Sequence, residues 1–131
     1  MRKGFTLVEI IIVIAIIATL SVILVPSFLE YIEDSNIKAA SSNAKSFETI
    51  YNAERSKAIA NTEGAIEVVT VLTNLSSINP KLASDPNMSY IIEEDTAKLI
   101  KVCYLYEEQC FNPEGNIEHN IIKPGSDYYE K

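Results

Sequence analysis

Gly4-Phe5-Thr6-Leu7-Val8-Glu9, followed without a break by an apolar run ending at Leu29, is the stretch on which the rest of the chain depends. Arg2 and Lys3 precede it. Between Phe5 and Leu29 the only formally charged side chain is Glu9. A helix needs roughly 20 consecutive apolar residues to cross the hydrocarbon core of a bilayer. Residues 5–29 therefore read as a membrane span, and Glu9 is the residue that needs a reason. In the middle of a spanning helix an acid costs about 2.5–3.5 kcal/mol, and such groups usually face a partner instead of lipid. Glu9 lies about one turn into the run, where the cost is lower. A competing reading makes Glu9 a helix-start carboxylate favoured by the helix dipole.

Three unusual demands coincide in this stretch: a very short basic leader, glycine before Phe5, and one glutamate inside an unbroken apolar helix. In these respects Met1 to about Tyr31 resembles a type IV prepilin with a class III signal peptide, and the likeness fades after about Ala60. The resemblance implies that a prepilin peptidase cuts between Gly4 and Phe5 on the cytoplasmic side, so that residues 1–4 are a leader. It implies N-methylation of the new Phe5 amino group. Glu9 would then pair with the Phe5 amine of a neighbouring subunit during assembly. Implied partners are other pilin subunits in a filament, the peptidase and, indirectly, an assembly platform with its ATPase. Pilins carry a proline at the distance of Pro26, where a helix kink is expected. Many also have a helix-weakening glycine about eight residues earlier. Ala18 stands there in this chain, which weakens the expectation of helix melting.

The pairing has a physical basis of its own. A cut after Gly4 creates a positive amino group about one helical turn from the Glu9 carboxylate. Within one helix the two do not easily meet head to tail, whereas an axially shifted copy can bring its amine to Glu9. Buried ion pairs of this kind give register and specificity more than net stability. Glycine before the cut leaves no side chain to obstruct a protease at the membrane surface.

The whole chain has 131 residues, which bounds it to one domain and an anchor. Residues 30–131 are enough for a small core built partly on the helix. The formal net charge of −7 becomes −9 without Arg2 and Lys3, with 9 basic residues against 18 acidic. That acidity argues against direct nucleic-acid binding. Arg2 and Lys3 ahead of the span put the N-terminus in the cytoplasm and the remainder outside. The apolar run is too long for an ordinary secretory signal. Before assembly the chain is thus expected in the cytoplasmic membrane, and the resemblance implies a cell-surface filament afterwards. Cys103 and Cys110 both fall in the exterior part, where an even count favours a disulfide. Free thiols and a metal site are the alternatives, with His119 the only histidine near.

Past Pro26 the pattern turns amphipathic. Leu29, Ala40, Ala44, Phe47, Tyr51 and Ala58 recur at helical spacing, with Lys38, Lys45, Glu48 and Lys57 away from the stripe. Asn36, Glu33 and Glu54 intrude on it. A helix from Phe5 to about Ala60 would be roughly 80 Å long, too long for its first half to be buried by so small a domain. Asn61-Thr62-Glu63-Gly64 reads as its stop. Ala65–Leu75 is ambiguous between strand and helix, and Ser76–Pro86 reads as loop. Tyr90–Ile92 and Lys98–Tyr106 read as an antiparallel hairpin about a turn at Glu93–Ala97. A third strand is expected at Ile117–Ile122, with Asp127–Lys131 a tail. The predicted architecture is α+β: a long N-terminal helix packed on a small antiparallel sheet, as in pilins.

The exterior part offers no catalytic constellation, phosphate loop or Cys/His metal spacing, so neither an enzyme nor a cofactor is expected. Glu93, Glu94 and Asp95 read as a solvated acidic turn, with calcium the alternative. The expected function is a structural pilus subunit, with adhesion, motility, biofilm growth or DNA uptake belonging to the filament. The runner-up is a pseudopilin of type II secretion, favoured only by the acidic Asp85–Asp95 stretch. A membrane-tethered enzyme or binding protein is the least favoured.

Overall fold

The computed structural model describes residues 4–61, 64, 66–119 and 127–130. Its elements are helices α1 (Leu7–Asn61), α2 (Val68–Ile78) and α3 (Pro80–Ala83), then strands β1 (Met88–Glu93), β2 (Lys98–Tyr106), β3 (Gln109–Phe111) and β4 (Asp127–Glu130). Two compact units result, residues 1–35 and 36–131, and α1 contributes to both.

In the first unit every described side chain is exposed. This part of α1 is long and apolar enough to cross a membrane, and none of it is buried within the chain. An exposed helix that is apolar all round needs lipid or protein about it. Its few hydroxyls are compatible with that setting because they bond carbonyls of their own helix. Thr19 donates to Ile16 O at 2.8 Å and Ser21 to Ile17 O at 2.7 Å. Such back-bonding satisfies polar groups where water is absent. Pro26 lies inside α1, where it has no N–H to give to the Val22 carbonyl.

The second unit is the α+β domain that the periodicity predicts. Of the predicted stripe, Ala40, Ala44, Phe47 and Tyr51 of α1 are buried and Ala58 packs half-buried against the core, whereas Leu29 is exposed. Phe47 stacks on Tyr90 of β1 with ring centroids 4.9 Å apart, and on Tyr51 at 6.0 Å. Val68, Val71 and Leu75 close the same core from α2. The Tyr51 hydroxyl donates to the Ala97 carbonyl at 2.9 Å, tying α1 to the β1–β2 turn. Two of the intruding residues, Asn36 and Glu54, find partners too. Asn36 donates to the Tyr106 hydroxyl at 3.0 Å, and the Glu54 carboxylate accepts from Lys57 at 2.5 Å.

The sheet runs β3-β2-β1-β4. β1, β2 and β3 are antiparallel neighbours, with the predicted hairpin between β1 and β2 in place. Met88, Tyr90 and Ile92 face the core, and the alternate Ser89 and Ile91 are covered as well, so β1 is a central strand.

Three local readings differ from the sequence expectation, and a fourth that it left open is decided. The ambiguous Ala65–Leu75 segment yields a helix because Val68, Val71 and Leu75 fall on one side of it at helical spacing. Much of Ser76–Pro86 is helical and not loop. α2 continues to Ile78, and α3 follows with Pro80 in its first turn and the Asn79 side chain accepting from Leu82 N–H at 3.2 Å. The third strand is Gln109–Phe111, because the Glu107–Glu108 turn reverses the chain directly after β2. Ile117 makes only an isolated bridge to Phe111, while Asn120 to Ile122 lie outside the described residues. Asp127–Glu130 is not a tail but β4, parallel to β1 through Tyr90–Glu93. Single-strand periodicity cannot reveal a pairing that depends on where another edge is free.

Candidate functional site at the start of helix α1

The first turn of α1 carries a side chain arrangement set by the spacing Thr6-Leu7-Val8-Glu9. Thr6 precedes the helix and Glu9 stands three residues later, the sequence form of a capping box. The bonds of that box are present. The Thr6 backbone N–H donates to Glu9 Oε2 at 3.0 Å, and the Thr6 hydroxyl donates to the same oxygen at 3.0 Å. In return the Glu9 backbone N–H donates to Thr6 Oγ1 at 3.3 Å. Two helix-start donors that have no partner within the helix are thereby satisfied, and the carboxylate sits at the positive end of the dipole.

Gly4 and Phe5 lie just ahead, outside the helical residues. The bond between them is therefore free of helical hydrogen bonding, as a protease substrate must be. Phe5 is 84% exposed. A Cβ built on Gly4 would meet nothing within 4 Å, so nothing in the chain's own packing asks for glycine there. Gly4, Phe5 and Glu9 are thus gathered at one helix start, and Pro26 belongs to the same helix further on.

Residues 1–25 match the family model of the prokaryotic N-terminal methylation motif. The chain carries that motif. That motif is the class III signal peptide of type IV pilins, and its presence supports, for this chain, a prepilin of the pilin or pseudopilin type. The motif implies processing by a prepilin peptidase and assembly into a multi-subunit filament. With the apolar helix it supports a subunit first anchored in a membrane and later built into a filament. No curated protein and no solved structure matches the chain.

Behind the motif the exterior unit presents a stapled hairpin. Cys103 and Cys110 are joined by a disulfide, with Cα atoms 5.4 Å apart. Cys110 stands opposite Leu105 in the β2–β3 ladder, so the bond runs diagonally between the strands. Beyond β3 the turn Asn112–Asn116 is held by the Asn112 side chain, which accepts from Glu114 and Asn116 N–H. Ser41 of α1 donates to the Pro113 carbonyl at 3.0 Å, docking that turn on the helix. Lys101 pairs with Glu118 across the same region. On the other side of the sheet Tyr104 donates to Asp85 at 3.0 Å. Among the described residues no cluster of three metal-ligating side chains forms, and Glu93 instead accepts from the Thr96 hydroxyl within its turn.

Sequence reasoning picked out Glu9 but gave no role to Thr6, although the Thr-x-x-Glu spacing was the signal for it. It also missed Ser41 and Asn36 as residues that fasten the domain to its helix. Their partners, Pro113 and Tyr106, lie about 70 residues away, and no local pattern announces such contacts.

Proposed function

We propose that the chain is a structural subunit of a type IV pilus. Residues 1–4 are its cleaved leader, residues 5–29 anchor it in the cytoplasmic membrane and then form the filament core, and residues 30–131 are the exterior domain. The observation that carries this reading is a single ionisable side chain, Glu9, on a helix uncovered from Leu7 to Leu29, one turn from an exposed Gly4–Phe5 bond.

The mechanism follows from charge and packing. The peptidase cuts after Gly4, and the Phe5 amino group is methylated and remains cationic. Glu9 of one subunit receives the Phe5 amine of the next, which fixes the axial register of the two helices. The helix leaves lipid for the filament core, so burial from water contributes little, and close packing of the helices and polar pairing drive the association. Pro26, inside α1 and without an N–H for the helical ladder, is where a kink in the helix is proposed. The exterior domain has its own core and disulfide, so it presents a stable surface whatever the helix is doing.

Mass spectrometry of the extracted protein tests the processing step. A chain beginning at N-methylated Phe5 is expected, and an intact Met1 start would defeat the proposal. Glu9→Ala should leave the cut intact and abolish or sharply reduce filaments, whereas a bulky residue at Gly4 should leave uncut precursor in the membrane. Electron microscopy of sheared cell-surface filaments, probed with antibody to residues 36–131, separates a pilus from a periplasmic pseudopilus.

A further inference from the structure

We propose that the exposed face of α1 in the exterior unit is a docking surface for a second copy of this chain, which meets its lysines with two acidic turns. This rests on the filament role proposed above. Charge is unevenly divided over the exterior unit. Between residues 36 and 61 the exposed positions of α1 carry Lys38, Lys45 and Lys57 and no carboxylate. Between residues 64 and 119 the exposed positions carry Glu67, Glu94, Asp95, Glu107, Glu108 and Glu114 against Lys81 and Lys98. The chain without its leader has 18 acidic residues and 9 basic ones (11 less Arg2 and Lys3), so composition alone does not give a helix face free of acid.

The same face is built for close approach. Between the lysines stand Ala39, Ser42, Ser46, Thr49, Ala53 and Ser56, all of them short and exposed. The hydroxyls of Ser46, Thr49 and Ser56 each donate to a carbonyl one turn back at 2.8 Å, so they bring no unpaired donor against a partner. Lys45 and Lys57 each hold one carboxylate of their own helix, Glu48 and Glu54, yet their side chains stay 60% and 67% exposed. An ammonium group has three donors and can take a second carboxylate.

The register follows from the helix start. Pairing of one copy's Phe5 amine with another's Glu9 offsets the two by four residues, about 6 Å along the helix. Copies in a regular filament repeat by one operation, so the exterior units carry the same offset. Within a copy the Glu107–Glu108 turn follows Tyr106, whose hydroxyl accepts from Asn36. The Glu94–Asp95 turn precedes Thr96 and Ala97, whose carbonyls accept from Arg55 and Tyr51. The two turns thus stand level with residue 36 and with residues 51–55 of their own helix. Moved on by one turn, they come level with about residue 40 and about residues 55–59 of the copy whose Glu9 receives the amine. The first turn then lies against Lys38 and Lys45, and the second against Lys57. Lysine face and acidic turns are different surfaces, so the contact is heterologous and propagates instead of closing into a dimer.

Carbodiimide couples an amine to a carboxylate that it touches, and so reads this contact in the unmodified protein. Sheared filaments should yield peptides joining Lys57 to Glu94 or Asp95, and Lys45 to Glu107 or Glu108, while the mature chain dispersed in detergent yields neither. Links equally present in the dispersed chain would be contacts within one copy and would overturn the proposal, as would links from these lysines to an unrelated protein. Combined Lys38→Gln, Lys45→Gln and Lys57→Gln should leave cleavage, methylation and the circular dichroism of the mature chain unchanged. Filament yield should fall about tenfold or more, from three exposed ion pairs at about two- to threefold each. Lys38→Glu with Lys45→Glu should remove filaments, and adding Glu107→Lys with Glu108→Lys should restore the yield to within about threefold of the parent. No recovery in that combination would refute the pairing. Normal filaments in the triple glutamine variant would sink this inference alone, whereas an uncut parent chain or a parent without filaments would remove the filament role beneath it.

Discussion

Phe47→Ala gives the sharpest test of how the exterior domain is held to its helix. Phe47 is fully buried, and its ring lies 4.9 Å from that of Tyr90 and 6.0 Å from that of Tyr51. It is the point where α1, through Phe47 and Tyr51, meets the central strand. Truncation removes a ring from a close-packed site and leaves a cavity that rigid neighbours fill poorly, for which about 3–5 kcal/mol is lost. The stacked contacts with two tyrosines put this site toward the upper half of that range, about 4 kcal/mol. Small domains have about 5–15 kcal/mol in total, so the variant should still fold when cold. A domain of this size shifts by about 4–8 °C per kcal/mol, so its Tm should fall by about 15–30 °C.

The assay is thermal unfolding of soluble residues 36–131, followed by circular dichroism. All of the buried core residues fall within that unit, which should fold without the apolar helix. Ile59→Ala, on a residue 46% exposed, is the control and should cost under about 1 kcal/mol. A Tm drop below about 5 °C for Phe47→Ala would mean that the helix is not the spine of the core, and the packing account would fail. In the full chain the same substitution should leave cleavage at Gly4–Phe5 unchanged, since that site lies in the other unit.

Other outcomes follow from single contacts. Replacing Cys103 and Cys110 with serine opens a loop of seven-residue separation, for which chain entropy gives about 2.5 kcal/mol. Reductant should produce a comparable Tm drop in the parent and none in the variant. Tyr51→Phe leaves the buried Ala97 carbonyl without its 2.9 Å donor, so chemical denaturation should report a loss of about 1–3 kcal/mol. Glu107→Gly should stabilise by about 0.5–1 kcal/mol, because Glu107 holds φ 54°, a conformation that glycine adopts freely. No gain in denaturation midpoint would show that the turn already accommodates the side chain.

Much of the architecture was legible because its signals are local. Phe47 and Tyr51 sit at helical spacing with Ala40 and Ala44, and the β1–β2 hairpin follows from two β-rich runs about a polar turn. At the start of α1 the sequence singled out Glu9 as the one charge in an apolar run, while its cap with Thr6 went unread although the two are three residues apart. What stayed hidden lay in competition between distant segments. Ala65–Leu75 carries both β-branched residues and a helical stripe, and burial of Val68, Val71 and Leu75 decides for helix. The tail at Asp127–Glu130 has strand-forming tyrosines, but only the free edge of β1 gives them a place.

Between Phe5 and Leu29 the sequence alone determines what the helix needs, because apolar length and one carboxylate are properties of composition that no folding partner within the chain relieves. The proposed cut position and the box around Glu9 are also local, written in six consecutive residues. Tertiary structure decided the rest. It joined β3 to β2 through a diagonal disulfide, put β4 on the far edge, and fastened the Asn112–Asn116 turn to α1 through Ser41. Each of these depends on two surfaces meeting after the chain has folded, and the free energy of such a meeting is not a property of either segment by itself.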